Sequence, residues 1–373
     1  MFTRRNNRWF GLLLAASVAT SVVACGGDKK DKSAKEDKGK KDEGKDKKDE
    51  KDKDKDAKKK DDKAAASAKP AADEPAGMVA TKAATHLPDG CEVVVHVDIS
   101  KILGAPNLKE AVASLQTAID KTKEKDKDDP KSFTAFMADA KFDPLKDLKS
   151  TAVCMNEIEA KPKATFAVAG EFKAETMLAS FEKTTKEKDV KREKVGDVDA
   201  LSMDNGGMYI AAAPDGILVG TANKDKLASL MEPGTAHEAY KLPEAPVSVV
   251  FGKDLVQKKM KEAGKGGKKP FETYAEKVER AALTMDPATG EVKILFTLTD
   301  EKSAIEFGGF LKPILPEIAS SPGLGGGPMK GIMGKLTESA TIDNQGPELS
   351  ITMKLPDEMM QGMMKQATAG LPQ

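Results

Sequence analysis

Glu92-Val93-Val94-Val95-His96-Val97-Asp98-Ile99 is the stretch from which the fold of this chain can be read. Val93, Val95, Val97 and Ile99 fall on one side of an extended backbone, and Val94, His96 and Asp98 on the other. This alternation predicts a strand whose second face is also mainly apolar. A helix follows, with Pro106 at its opening and Leu108, Val112, Leu115 and Ile119 as its apolar stripe. The same order returns later, where Val247 to Leu255 is again a strand running into an amphipathic helix. A second pair agrees with the first: Ala164 to Lys183, a strand leading into a helix with aromatic contacts, has its counterpart in Val292 to Lys312. Both pairs occur in one order, so the body reads as two diverged copies of a single α+β unit. Hairpins and meanders outnumber βαβ crossovers, which favours antiparallel sheet with helices on one face. The expected fold is therefore α+β, built of duplicated antiparallel sheet-plus-helix units.

Between these landmarks the local signals are uneven. Ser132 reads as the cap of a short helix holding Phe133, Phe136 and Met137, and Asp143-Pro144 as the start of another that includes Leu145 and Leu148. Lys121 to Lys131 reads as a polar loop, and Asp197, Asp199, Asp204 and Asn205 as hairpin solvation and turn residues. Pro214-Asp215-Gly216 predicts a hairpin between Tyr209–Ala213 and Ile217–Gly220, and Asn344-Gln345-Gly346 predicts another within Ala340–Leu355. Val278–Met285 and Glu291–Thr299 pair around the turn at 286–290. Ala304–Ile318 is a helix expected to bend or end at Pro313 and Pro316. The Pro-containing connector from Thr235 to Pro246 separates the units, so the expected repeats are 85–235 and 245–373.

What precedes the body is of another kind. Arg4, Arg5 and Arg8 give a positive start, Trp9 to Ala19 a short apolar run, and Val22-Val23-Ala24-Cys25 closes it. This describes a secretory signal, too short and too mixed to remain in ~30 Å of hydrocarbon as a spanning helix. Ending on Cys, the segment resembles the signal of bacterial lipoproteins, with Val22-Val23-Ala24-Cys25 matching that family's lipobox. The resemblance implies cleavage after residue 24 and diacylglyceryl attachment to Cys25. It also implies a location in the cell envelope. Gly26 lacks the acidic retention signal of the enterobacterial type, which favours the outer membrane. In architecture the body resembles the large lipoproteins of myxobacterial-type envelopes, a likeness that carries over no functional residue.

From Asp28 to Lys63 the chain is almost entirely charged, 17 Lys against 14 Asp and Glu. No apolar residue stands at helical or strand spacing, so nothing offsets ordering entropy, and disorder is expected. With the Ala- and Pro-containing stretch to residue 76 this makes a tether within residues 25–84, averaging ~40 Å end to end as a coil. The formal net charge of the whole chain is +0. Setting signal and tether aside leaves an acidic excess and only Arg192 and Arg280, which disfavours nucleic acid. Of three cysteines, Cys25 is assigned to lipid. Cys91 and Cys154 then form an even pair in an exported, oxidising compartment, and a disulfide is expected.

No catalytic, metal or cofactor motif emerges. His86, His96 and His237 are the only histidines, and no pair has the i,i+4 spacing of metal ligands on a helix. There is no Gly-x-Ser-x-Gly elbow. Gly334-Lys335 ends a glycine-rich loop, but a P-loop would need Gly where Met329 stands and Ser or Thr where Leu336 stands. Leu324, Met329, Ile332, Met333 and Leu336 lie in that loop, and Met359, Met360, Met363 and Met364 in a terminal helix. Thioether side chains adapt to irregular apolar surfaces. These residues therefore either fill core beneath the loop or form a flap over a small hydrophobic ligand, as in a periplasmic lipid carrier. The leading expectation is a non-catalytic binding or structural module, held to a membrane by its lipid and in contact with cell-wall or envelope proteins.

Overall fold

A computed structural model describes residues 82–125, 128–158, 163–185, 190–203, 206–265, 269–320 and 338–356. The signal, Cys25, the charged tether, the glycine-rich loop and the terminal Met-rich stretch all lie outside these residues.

The first unit contains β1 (Val93–Asp98), α1 (Ile99–Gly104), α2 (Lys109–Lys125), α3 (Phe133–Ala140), α4 (Pro144–Asp147), β2 (Leu148–Asn156), β3 (Lys163–Gly170) and α5 (Ala174–Thr184). It continues with β4 (Lys191–Val195), β5 (Val198–Met203), β6 (Met208–Ala212) and β7 (Leu218–Thr221), and α6 (Ala236–Tyr240) leads out of it. The second unit has β8 (Val247–Phe251), α7 (Lys253–Lys265), α8 (Lys269–Ala275), β9 (Val278–Asp286), β10 (Glu291–Leu298), α9 (Glu301–Ser320), β11 (Thr341–Gln345) and β12 (Glu348–Lys354).

The strands form one sheet in the order β11-β12-β10-β9-β8-β1-β2-β3-β7-β6-β5-β4. Every pairing is antiparallel. Its middle joint is β1 against β8, with Val95 opposite Val249. Outward from that joint the two halves repeat. One runs β1-β2-β3-β7-β6 and the other β8-β9-β10-β12-β11, with β5 and β4 added beyond β6 in the first. The registers agree as well. Starting at Val95, the residues directly opposite one another are Val153, Phe166, Gly220 and Ile210; starting at Val249 they are Leu283, Ile294, Ile351 and Ile342. The duplication expected from the sequence is thus present strand for strand.

That transverse row lies on the face the helices cover. Val93, Val95, Val97, Val153, Phe166 and Ile210 pack with Ile119 of α2, Phe136 and Met137 of α3, and Met177 and Leu178 of α5. In the second unit Leu349, Ile351 and Met353 pack with Met260 of α7, Ala275 of α8, and Phe307 and Leu311 of α9. Gly220 is the single interruption of the row. The Phe166 ring takes its place, so closely that a Cβ on Gly220 would stand 2.1 Å from it. An aromatic ring covering a cross-strand glycine restores the apolar contact that the glycine lacks.

Local chemistry explains most boundaries. Ser132 accepts a hydrogen bond from Ala135 N–H and caps α3, and Asp143 does the same for Leu145 at α4. Both hairpins fall where expected, with Gly216 at φ +87° and Gly346 at φ +57°.

Three local expectations need correction, and one hairpin is added. Helix α2 runs on through Lys121 to Lys125, held by pairs of Asp120 with Gln116 and Lys123 that the polar-loop reading overlooked. Leu148 is the first residue of β2, opposite Gly170, and not part of the helix after Pro144. Residues 191–203, for which the sequence offered only Asp197 and Asp199 as hairpin solvation and turn residues, form the β4–β5 hairpin around Gly196 at φ +62°. Helix α9 continues past Pro313, because Phe307 and Leu311 beneath it fix its position on the sheet more strongly than proline disrupts it.

Candidate functional site

On the face opposite the helices, the strands of the first unit present small residues: Val94, Ala152, Cys154, Ala167, Ala211 and Val219. Small side chains let backbone lie close, and two segments do so. One is residues 82–91, where the described chain begins; the other is the passage from β7 to β8. Ala83, Ala84 and Leu87 from the first join Leu227, Leu230, Met231 and Tyr240 from the second in one buried cluster against the sheet.

Three polar devices pin the entering segment. The Cys91–Cys154 disulfide, separated by 63 residues, ties its end to β2. The Tyr240 hydroxyl donates to the Pro88 carbonyl, accepts from Cys91 N–H at 3.2 Å and lies 3.0 Å from Cys91 Sγ. Burial raises the Tyr240 pKa, with the hydrogen bond from Cys91 opposing it and Asp89 adding to it. Third, the buried ring of His86 bonds the Leu230 carbonyl through Nδ1 at 2.7 Å and Asp215 through Nε2 at 2.9 Å. Since a carbonyl only accepts, Nδ1 carries a proton. Glu92 N–H adds a bond to Asn156 Oδ1 at 2.9 Å.

The polar groups of this arrangement are engaged with one another and with backbone carbonyls. Its sulfurs are bonded to each other, its imidazole faces a carbonyl and a carboxylate, and its tyrosine is fully used in hydrogen bonds. Other groups are shifted elsewhere in the body. Asp139 on α3 is lowered by hydrogen bonds from Lys183 and Ser180 of α5, and Asp300, capping α9, by hydrogen bonds from Ser303 and Thr299. Lys224 is raised by its bond to Glu193, and Tyr274 by burial. Asp300 and Tyr274 share a neighbour, Lys277, whose charge contributes to lowering Asp300 and whose Nζ lies 5.6 Å from the Tyr274 ring centroid.

Among the described residues no group of three His, Cys, Asp or Glu side chains could hold a metal ion, and no helix is long and apolar enough to cross a membrane. An open hollow on α2 is lined by Thr117, Asp120, Lys121, Lys123 and Glu124. The comparisons add little. No protein-family model and no curated protein matches this chain. Among solved structures it is similar to TP0453. Crystal form III gives a TM-score of 0.38 at 7% identity over 76% of this chain and 98% of that one. Crystal form I gives 0.37 at 8% identity over 76% and 97%. Likeness this low carries no argument about fold or function.

Of the sequence-derived site residues, the structure brings together Cys91 and Cys154. Cys25, Leu324, Met329, Ile332, Met333 and Leu336 lie outside the described residues. His86 and Tyr240 were missed as partners of this junction. Asp215 carried a signal, but as a turn residue only, since nothing local links it to a histidine far earlier in the chain.

Proposed function

We propose that the chain is an exported envelope lipoprotein, acylated at Cys25 and held to a membrane through the charged stretch, with a non-catalytic binding or structural body. The observation that carries this reading is the allocation of its three cysteines. Cys91 and Cys154 are joined to each other, and the remaining one stands at the end of a signal with lipobox spacing. The reinforced entry of the body, where disulfide, Tyr240 and His86 fasten residues 82–91, fits a domain attached through its N-terminal side. The outer membrane is the location favoured by Gly26.

Intact mass and N-terminal analysis of detergent-extracted protein tests the proposal. The expected product begins at Cys25 with added acyl mass, sediments with outer-membrane fractions, and is replaced by an unprocessed precursor in Cys25→Ser. A mature chain starting elsewhere without acyl mass would overturn it. The carrier reading depends on Leu324 to Leu336, and no observation among the described residues favours it.

A further inference from the structure

The duplication leaves one strand without a neighbour. In the first unit β6 has β7 on one side and β5 on the other, whereas its counterpart β11 has β12 on one side and ends the sheet. Among the described residues no strand stands between α9 and β11, where the first unit places β4 and β5 between α5 and β6. The two ends of the sheet also differ in protection. β4 carries Lys191, Arg192, Glu193 and Lys194, the kind of charged side chains that keep an edge from pairing. β11 is Thr341-Ile342-Asp343-Asn344-Gln345, with one charge and no proline. Ile342 packs against the apolar core under the helices, so this edge has the sidedness of an interior strand.

Two further features lie beside that edge. Asn344 Oδ1 is buried and has no hydrogen-bond partner. It lies beneath α9 at Gly308, where a Cβ would stand 3.4 Å from it. Phe310 marks another side of α9, turned toward Phe271 and Tyr274 of α8. Helical spacing places Glu301, Ile305 and Lys312 with Gly308, on the side above β11. All three are exposed, and Ile305, at 53%, is the one large apolar side chain exposed among the described residues.

We propose that a second copy of this chain covers this edge. β11 of one copy pairs antiparallel with β11 of the other about a two-fold axis at Asn344, and the two α9 helices run antiparallel above it. The sequence is complementary to itself in that register. Asn344 stands opposite the partner's Asn344, so each amide donates to the Oδ1 that lacks a partner in the single copy. Asp343 stands opposite the partner's Gln345, an acceptor against a donor. It exchanges for that amide the Asn344 N–H that it holds at 2.9 Å. An axis at Asp343 would instead oppose two like charges. On the helices Glu301 reaches the partner's Lys312, twice by symmetry, and Ile305 enters the space above the partner's Gly308.

The test uses the full chain with Cys25→Ser, so that association owes nothing to a lipid at that position. Analytical ultracentrifugation at about 100 µM should show dimer, a concentration suited to a small interface at the weak end of affinity. Glu301→Lys and Lys312→Glu should each weaken it about tenfold, and the double variant should recover it, because each ion pair joins one copy to the other. Asn344→Cys should give a disulfide-linked dimer on oxidation, since Cα atoms across an antiparallel pair stand about 5.5 Å apart. Lys191→Cys, at the other end of the sheet, should not. A monomer at that concentration overturns the proposal, and slow amide exchange at residues 342–345 in that monomer would give the edge to this chain's own residues. A dimer that the double variant does not recover, or that Asn344→Cys does not link, overturns it as well and places the contact on another surface.

Discussion

The imidazole of His86 lies 2.9 Å from the carboxylate of Asp215, on the turn between β6 and β7, and its side chain has no exposure to solvent. With the second bond to Leu230, one ring joins three separate pieces of chain. His86→Ala would leave a buried carbonyl and a half-buried carboxylate without their partner, at about 1–3 kcal/mol for each unsatisfied group. Urea denaturation should show a lower midpoint with an unchanged slope, and hydrogen exchange should show residues 82–91 opening first. Unchanged exchange there would mean that the ring is not what fastens the segment.

The disulfide should matter more. Closing a loop of 63 residues stabilises by about 4 kcal/mol in the chain-entropy account. The double variant Cys91→Ala/Cys154→Ala should lose most of this in denaturant, and reductant should lower the midpoint of the parent protein but not of the variant.

Tyr240 gives a pH dependence with a defined sign. Burial raises its pKa in the folded chain above the ordinary 10.0. The stability it contributes is therefore complete below pH 10.0 and is lost as pH rises through the folded-state value. Tyr240→Phe should be less stable than the parent at neutral pH, and the gap should narrow in alkaline solution. A gap that widens there would contradict the assignment of the hydroxyl as donor to Pro88.

Gly220→Ala should cost about 1–3 kcal/mol by overpacking, because Phe166 fills the space a methyl group would need. Combining it with Phe166→Leu should recover part of the loss. Thermal unfolding of the two single variants and the double variant reads the coupling directly.

The regular part of this fold was legible because its faces alternate cleanly. Val93, Val95 and Val97 announce a strand, and the return of that pattern at Val247 announces the second unit. Pro214-Asp215-Gly216 and Asn344-Gln345-Gly346 supply their own turn chemistry. Apart from the end of α2, which local pairs of Asp120 hold, the misses originate in non-local contacts. Lys191-Arg192-Glu193-Lys194 carries no apolar alternation, since β4 is an edge strand with a charged surface, and only its pairing with β5 makes it a strand. Pro313 argues against a helix that Phe307 and Leu311 hold in place from below. At the junction, the pairing of Cys91 with Cys154 could be reached by counting, whereas that of His86 with Asp215 needs the fold in three dimensions.

The meeting of Val95 with Val249 has a kinetic consequence. These two residues are roughly 150 positions apart along the chain, so the joint forms only after a large loop closes, although the added entropic cost of length grows slowly. Until then each half exposes a bare, valine-rich edge, β1 on one side and β8 on the other. A newly made molecule therefore passes through a stage in which either edge can pair with a neighbouring chain, and the local concentration of unfinished molecules sets how many do so.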